Sequence, residues 1–177
     1  MKLKKTDGID NHKDLDKIKL RPLTIQDFEL VWNWSRDTMF CLANGWALYQ
    51  SSEQLYNWWL QCVFQGSDDF VRLGIEWNGD LIGYADLANL NSNTAELGIA
   101  IGESKLWGNG IGYRAALCTI QYGASKLGVT TFYAETVKTN IRSRKMLEKI
   151  GFKEVGRSDE EANMHVNEQL IRYQLHM

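Results

Sequence analysis

Trp107-Gly108-Asn109-Gly110-Ile111-Gly112-Tyr113 sits where an apolar, strand-like run, Leu97 to Ile101, gives way to a long amphipathic pattern. Glycines let a backbone turn tightly and come close to a ligand. The first N–H groups of a following helix have no acceptor inside it and point outward with partial positive charge. A loop of this kind at a helix start suits a phosphate or pyrophosphate. Three close glycines also make an ordinary turn, so the heptapeptide by itself leaves both readings open.

Before the loop the pattern is strand-like. Turn signals at Asn78-Gly79-Asp80 and Asn91-Ser92-Asn93 separate Val71–Trp77, Leu81–Leu90 and Ala95–Ile101, which predicts an antiparallel meander. After it, Leu117, Ile120, Ala124 and Leu127 stripe a helix that starts in the loop and ends at Gly128. Thr130–Thr136 is β-branched and aromatic enough for a strand, and Met146, Leu147 and Ile150 mark one face of another helix. Gly151 suits the left-handed end of that helix, with Phe152 folding back on Leu147. Phe152–Arg157 and Gln169–His176 read as closing strands around an acidic polar loop.

The chain begins with a polar stretch, Met1 to Asp16, rich in Lys and Asp, expected to be a mobile leader; residues 17–177 are expected to form one domain. Ile18 and Leu20 alternate as a short strand would, and Pro22 ends it. A helix follows, with Thr24 as cap, Leu23 and Phe28 as staple and Phe28, Val31 and Trp32 on one face. Ser51 and Gln54 make a capping-box pair for a second, carrying Leu55, Trp58, Trp59 and Cys62 at helical spacing. The order is strand, two helices, three strands, helix, strand, helix and two strands, a mixed α/β domain whose glycine loop leaves a central strand. Open sheets bind ligands at that position.

With 177 residues and 44% hydrophobic content the chain can bury one substantial core and not two. A net charge of -2 argues against nucleic-acid or membrane-surface partners, which usually demand a basic face. Cys41, Cys62 and Cys118 are odd in number and apolar in context, as expected of reduced, buried thiols. His12, His165 and His176 lie far apart without metal-ligand spacing, so no metal is expected. No run approaches transmembrane length and the N-terminus lacks an apolar signal core, leaving a cytoplasmic location as the default expectation.

A second segment bears on the loop. Thr136-Val-Lys-Thr-Asn140-Ile-Arg-Ser143-Arg-Lys-Met-Leu147-Glu-Lys-Ile-Gly151-Phe152 puts an Asn and a Ser three residues apart at a helix start, where simple capping would also account for the Asn. Taken with Ala95-Glu96-Leu97-Gly98-Ile99-Ala100-Ile101, Trp107 to Tyr113 and the element order, residues 17 to 176 resemble the GNAT superfamily of acyl-CoA-dependent N-acyltransferases. The branch most similar includes ribosomal-protein, spermidine and amino-sugar N-acetyltransferases.

The resemblance implies a mixed, mostly antiparallel central sheet flanked by helices, with acetyl-CoA as donor and coenzyme A as product. It implies that Ile99, Ala100 and Ile101 pair with the pantetheine arm, that Trp107, Gly108, Asn109, Gly110, Ile111, Gly112 and Tyr113 grip the pyrophosphate, and that Asn140 and Ser143 border the cofactor. Many members place a Tyr seven residues after the Asn to protonate the departing thiolate; here that residue is Leu147. Ser143 resembles the serine some ribosomal-type members carry and is the candidate to hydrogen-bond the sulfur. Glu96 is the candidate base, because strand alternation puts it on one face with the small Gly98 and Ala100. An exposed strand Glu with no role is the plain alternative.

The backbone N–H of Ile101 or its neighbour is the candidate oxyanion donor, provided the sheet splays there. Trp34, Trp46 and Tyr49 fall near the connection where the family forms its acceptor pocket, whereas Trp32, Trp58 and Trp59 read as core. The implied acceptor is a small-molecule amine or a protein N-terminus, and a homodimer is compatible. A Rossmann domain fits poorly, because Tyr113 occupies the place of its third glycine. A GNAT-fold module that binds acyl-CoA or a partner without turnover is the other reading.

Overall fold

The structure, a computed structural model, describes residues 17–158 and 169–177. The expected leader at 1–16, most of the acidic loop before the last strand, His12 and His165 lie outside the described residues. Strand β1 (Ile18–Arg21) is followed by a short 3-10 turn and three helices, α1 (Phe28–Trp34), α2 (Thr38–Asn44) and α3 (Ser52–Phe64). Then come β2 (Val71–Trp77), β3 (Asp80–Ala88), β4 (Thr94–Ile101), α4 (Ile111–Leu127), β5 (Thr131–Val137), α5 (Ile141–Ile150), β6 (Lys153–Ser158) and β7 (Leu170–His176).

The strands form one seven-stranded sheet in the order β1-β2-β3-β4-β5-β7-β6. The expected meander β2-β3-β4 is antiparallel throughout, and β4 with β5 is the parallel pair at the centre. Helices α4 and α5 cover one face: Ala116, Ile120 and Leu147 pack with Leu97, Phe132 and Tyr173. Helices α1 to α3 cover the other over the first half of the sheet, where Val31, Trp34, Phe40, Leu55 and Trp59 pack with Tyr84 and Ala100.

Three local expectations need correction. The stretch expected to be a plain connection between the first two helices contains α2, capped by Asp37, whose carboxylate accepts the N–H of Phe40 at 3.1 Å. Only the adjacent Phe40 and Cys41 are buried, too short a stripe for periodicity to reveal. In α4, Ile120 alone of the expected stripe is buried; Ile111, Ala115, Ala116 and Thr119 line the sheet instead. Small residues let that helix approach closely, so the contact face is not the one with the largest apolar side chains. Trp34 is core, 1% exposed, whereas Trp32 is half-buried. The Ser51–Gln54 capping box forms as expected, with reciprocal bonds of 3.1 Å.

Candidate active site

Pairing between β4 and β5 runs only through Thr94↔Thr131, Ala95↔Phe132 and Glu96↔Tyr133. Beyond Glu96 the two central strands part, and a cleft of about 270 Å³ opens between them. Its walls are Leu97 to Ala100 of β4, Ala134 to Thr136 of β5, the start of α5 from Asn140, Tyr84 and Asp86 of β3, and the end of α2 at Ala43 and Asn44. The splay is the feature that alternation in the sequence could not reveal.

The open edge of β4 has a defined register. Gly102 N–H donates to Ile82 O on the β3 side at 2.8 Å. In an antiparallel strand successive residues direct their N–H and C=O groups to opposite sides, so Ile99 and Ile101 present theirs to the cleft and Ala100 directs its own to β3. The Ile101 carbonyl accepts the indole N–H of Trp107 at 2.9 Å, which pins the glycine loop to the strand end.

In that loop Gly108 and Gly110 have φ of 84° and 80°, the left-handed region that side chains with a Cβ resist. Gly110 caps α4, leaving the first amides of Ile111, Gly112 and Tyr113 without acceptors in their own helix. The Arg142 guanidinium lies 4.7 Å from the Trp107 ring centroid and Lys149 Nζ 4.5 Å from that of Tyr113. Two cations from α5 thus stand beside an anion-ready helix start.

Across the cleft, Asn140 Oδ1 caps α5 by accepting the N–H of Ser143 at 3.1 Å. The capping role that Asn commonly plays is therefore real here, and both residues also line the cleft. Leu147 lines it too, but is 3% exposed and packs with Phe152 and Tyr173.

Three carboxylates border this region. Asp86 lies in the cleft wall with both oxygens held by Arg72, from Nε and Nη2, each at 2.7 Å. Burial disfavours the Arg72 charge, but the Asp86 hydrogen bonds and charge more than offset it and raise the guanidinium above its ordinary range. Arg72 also lies 4.4 Å from the Tyr84 ring centroid, while Tyr84 Oη accepts the Trp46 indole N–H at 3.1 Å. Glu135 is paired with Arg172. Glu96 accepts instead from the neutral amide of Asn89 at 2.8 Å.

A family model described as an acetyltransferase (GNAT) domain matches residues 17–153. The chain belongs to the GNAT acetyltransferase family. Spermidine N-acetyltransferase from Vibrio cholerae, solved in complex with CoA and spermine, is similar with a TM-score of 0.78 at 20% identity, covering 91% of this chain and 96% of that one. A GNAT-family acetyltransferase from Bacillus anthracis gives 0.77 at 17% identity, covering 90% and 95%. A domain from Methanocaldococcus jannaschii gives 0.68 at 26% identity, covering 91% and 99%. An uncharacterised protein of the same archaeon is 30% identical over 152 residues, 81% of this chain, and this chain spans only 30% of that protein's length.

On this GNAT frame the residues singled out from sequence divide into two groups. Ile99, Ala100, Asn140 and Ser143 line one cleft, whereas Ile101 and the glycine loop lie outside its lining, with the loop tied to the end of β4 by the Trp107–Ile101 hydrogen bond. Glu96 does not line the cleft; it borders a second depression of about 370 Å³ with Tyr133 and Arg172, which shares Ala134 and Glu135 with the cleft wall. Trp46 packs against Tyr84 and Trp58, whereas Tyr49 is 92% exposed. Asp86, Arg72, Tyr84 and Glu135 were not singled out, because a polar residue in an alternating strand looks the same whether it faces water or a cleft, and Asn44 was missed with the rest of α2. Among the described residues no cluster of His, Cys, Asp and Glu is arranged to hold a metal, and no helix is long and apolar enough to cross a membrane.

Proposed function

We propose that the chain is an acetyl-CoA-dependent N-acetyltransferase that moves an acetyl group to a primary amine by direct attack in a ternary complex. The observation that carries this is the splay beyond Glu96, with an unpaired β4 edge leading to a glycine-capped helix start. Those residues suit the donor: Ile99 and Ile101 would pair with the pantetheine arm as an added strand does, and the amides of the loop from Gly108 to Tyr113, with Arg142 and Lys149 beside them, would hold the pyrophosphate. When bound, acetyl-CoA supplies the thioester carbonyl that the amine attacks.

The chain's own groups then divide the proton and charge handling. Both oxygens of Asp86 are occupied by a guanidinium and Glu135 is also arginine-paired, whereas Glu96 is held by a neutral amide, so Glu96 is the group to take the amine proton, through water from the adjoining depression. The Gly102 N–H is taken up by Ile82 O on the β3 side, so the N–H of Ile101 is the one to face the developing oxyanion; a donor of this kind is worth roughly 3 kcal/mol. Ser143 hydrogen-bonds the departing sulfur. Free thiols at Cys41, Cys62 and Cys118 support a reducing, cytoplasmic setting.

Leu147, which has no proton to give, favours a second reading, an acyl-CoA-binding module without turnover. The deciding experiment is thiol release from acetyl-CoA with a panel of small amines and peptides bearing free N-termini. Release above the hydrolysis background with at least one acceptor is expected. Tight binding with no release on any acceptor would replace the enzyme by the module.

A further inference from the structure

Resting on the acetyltransferase reading, the wall of the cleft has a charge arrangement that bears on what amine it takes. Two carboxylates line it, and each is compensated. Asp86 is gripped by both arms of the Arg72 fork, and the partly buried pair has side-chain exposures of 16% and 17%. Glu135 meets Arg172 from the neighbouring strand. A polyamine carries several ammonium groups, and each one beyond the reacting amine needs an uncompensated anion to replace its lost hydration. The cleft wall offers none through these two residues.

What it offers is neutral and polar. Tyr84 Oη accepts the Trp46 N–H, which leaves its own hydrogen to donate, and Tyr84 lines the cleft together with Asn44, whose amide N–H is held by Phe40 O at 2.9 Å. An Arg-held carboxylate can still accept a hydroxyl hydrogen at its remaining lone pairs. Amines flanked by hydroxyl-bearing carbons are also less basic than alkylamines, because the neighbouring oxygens withdraw electrons. More of such an acceptor arrives uncharged, which suits a site where one carboxylate, Glu96, stands back in the adjoining depression.

We propose that the acceptor is a single amine on a neutral, hydroxyl-bearing scaffold of the amino-sugar class, and that Arg72 and Arg172 set this preference by cancelling the charges of Asp86 and Glu135. The two arginines are positioning residues: they act through the carboxylates they hold.

The test compares kcat/KM for glucosamine, spermidine and a short peptide with a free N-terminus, using wild type, Arg72→Gln and Arg172→Gln. Wild type is expected to favour glucosamine over spermidine at least tenfold, and each variant to move that ratio toward spermidine by about tenfold, chiefly through a lower spermidine KM. Arg172 is on the exposed side of its pair, so its variant keeps the test alive should Arg72→Gln not fold. A wild type that prefers spermidine or the peptide overturns the charge inference while leaving the acetyltransferase reading intact. Unmoved ratios in a folded variant overturn the role of the arginines. Thiol release with none of the three acceptors, despite acetyl-CoA binding, counts against the acetyltransferase reading and takes this inference with it.

Discussion

Asp37 caps α2 with one carboxylate oxygen and with the other accepts the backbone N–H of Ser104 at 2.9 Å. A single side chain thereby joins the helix that walls one end of the cleft to the turn that leads into the glycine loop. Asp37→Ala deletes a helix cap and a charge-assisted hydrogen bond, together worth about 2 kcal/mol on a partly exposed group. Denaturant unfolding should show that loss with an unchanged slope. KM should rise for donor and acceptor together, because both ends of the cleft lose one anchor; a rise in neither would mean the link does not position the site.

The same residue makes stability depend on acid. Burial works against the charge at Asp37, but hydrogen bonds from Ser104 and from the amides of Phe40 and Met39 outweigh it and hold the carboxyl below its ordinary value of 3.8. At Asp27 burial is again opposed, there by the Arg21 guanidinium and by Thr24, with the same net direction. Both groups protonate more readily unfolded than folded, so their contribution is complete above the ordinary carboxyl value and is lost as pH falls through the lower folded values. Unfolding midpoints measured from pH 7 down to pH 2 should decline below about pH 4. Asp27→Asn and Asp37→Asn should each flatten the decline, and an unaltered acid limb in both would remove this account.

How much of this was legible in the sequence depended on range. Alternation and turn residues placed every strand to within about two residues, and the Ser51–Gln54 box and the Gly151–Phe152 ending are local signals that formed as read. The glycine loop and the Asn140–Ser143 pair were likewise visible because each is contiguous. Asp86 was not, since its significance comes from Arg72 across the strand pair and from a splay made by β5, forty-five residues further on at Thr131. Trp34 read as a pocket residue because short α1 leaves the helical period poorly defined; burial under neighbouring elements decided it.

Gly110 has φ of 80° at the point where α4 begins. A side chain there adds strain of about 1–2 kcal/mol, and an indole would in addition stand over the first free amides of the helix. Gly110→Trp should therefore abolish acetyl-CoA binding by calorimetry while lowering thermal stability only modestly. Retained tight binding would overturn the placement of the pyrophosphate.

Glu96→Gln keeps the bond to Asn89 within reach but removes proton affinity, and Ser143→Ala removes the hydroxyl while leaving the backbone N–H that Asn140 caps. Turnover should fall roughly 100-fold for Glu96→Gln, the lower range for general-base loss, and less for Ser143→Ala. Acetyl-CoA affinity should change by no more than about threefold in either, since neither carries the main phosphate contacts. Equal turnover in wild type and both variants would strip both residues of their proposed roles.

Gly102 ends the β4 edge beneath the ring of Trp34, and a Cβ at that position would lie 2.1 Å from Trp34 Cε2. Trp34 is 1% exposed, with Phe40 at a ring-centroid separation of 6.1 Å, so it has little room to yield. Gly102→Ala should accordingly cost about 1–3 kcal/mol, the usual penalty for overpacking a filled core. The strain would also displace the neighbouring Ile101, whose carbonyl is the anchor for Trp107, so the glycine loop should shift with it and KM for acetyl-CoA should rise several-fold. Trp34→Phe opens space above the strand at its own cost in lost burial. If the clash is the cause, the double variant will be more stable than the sum of the single losses predicts, with a coupling of about 1 kcal/mol. Strict additivity would mean that Gly102 is required for some reason other than the Trp34 ring.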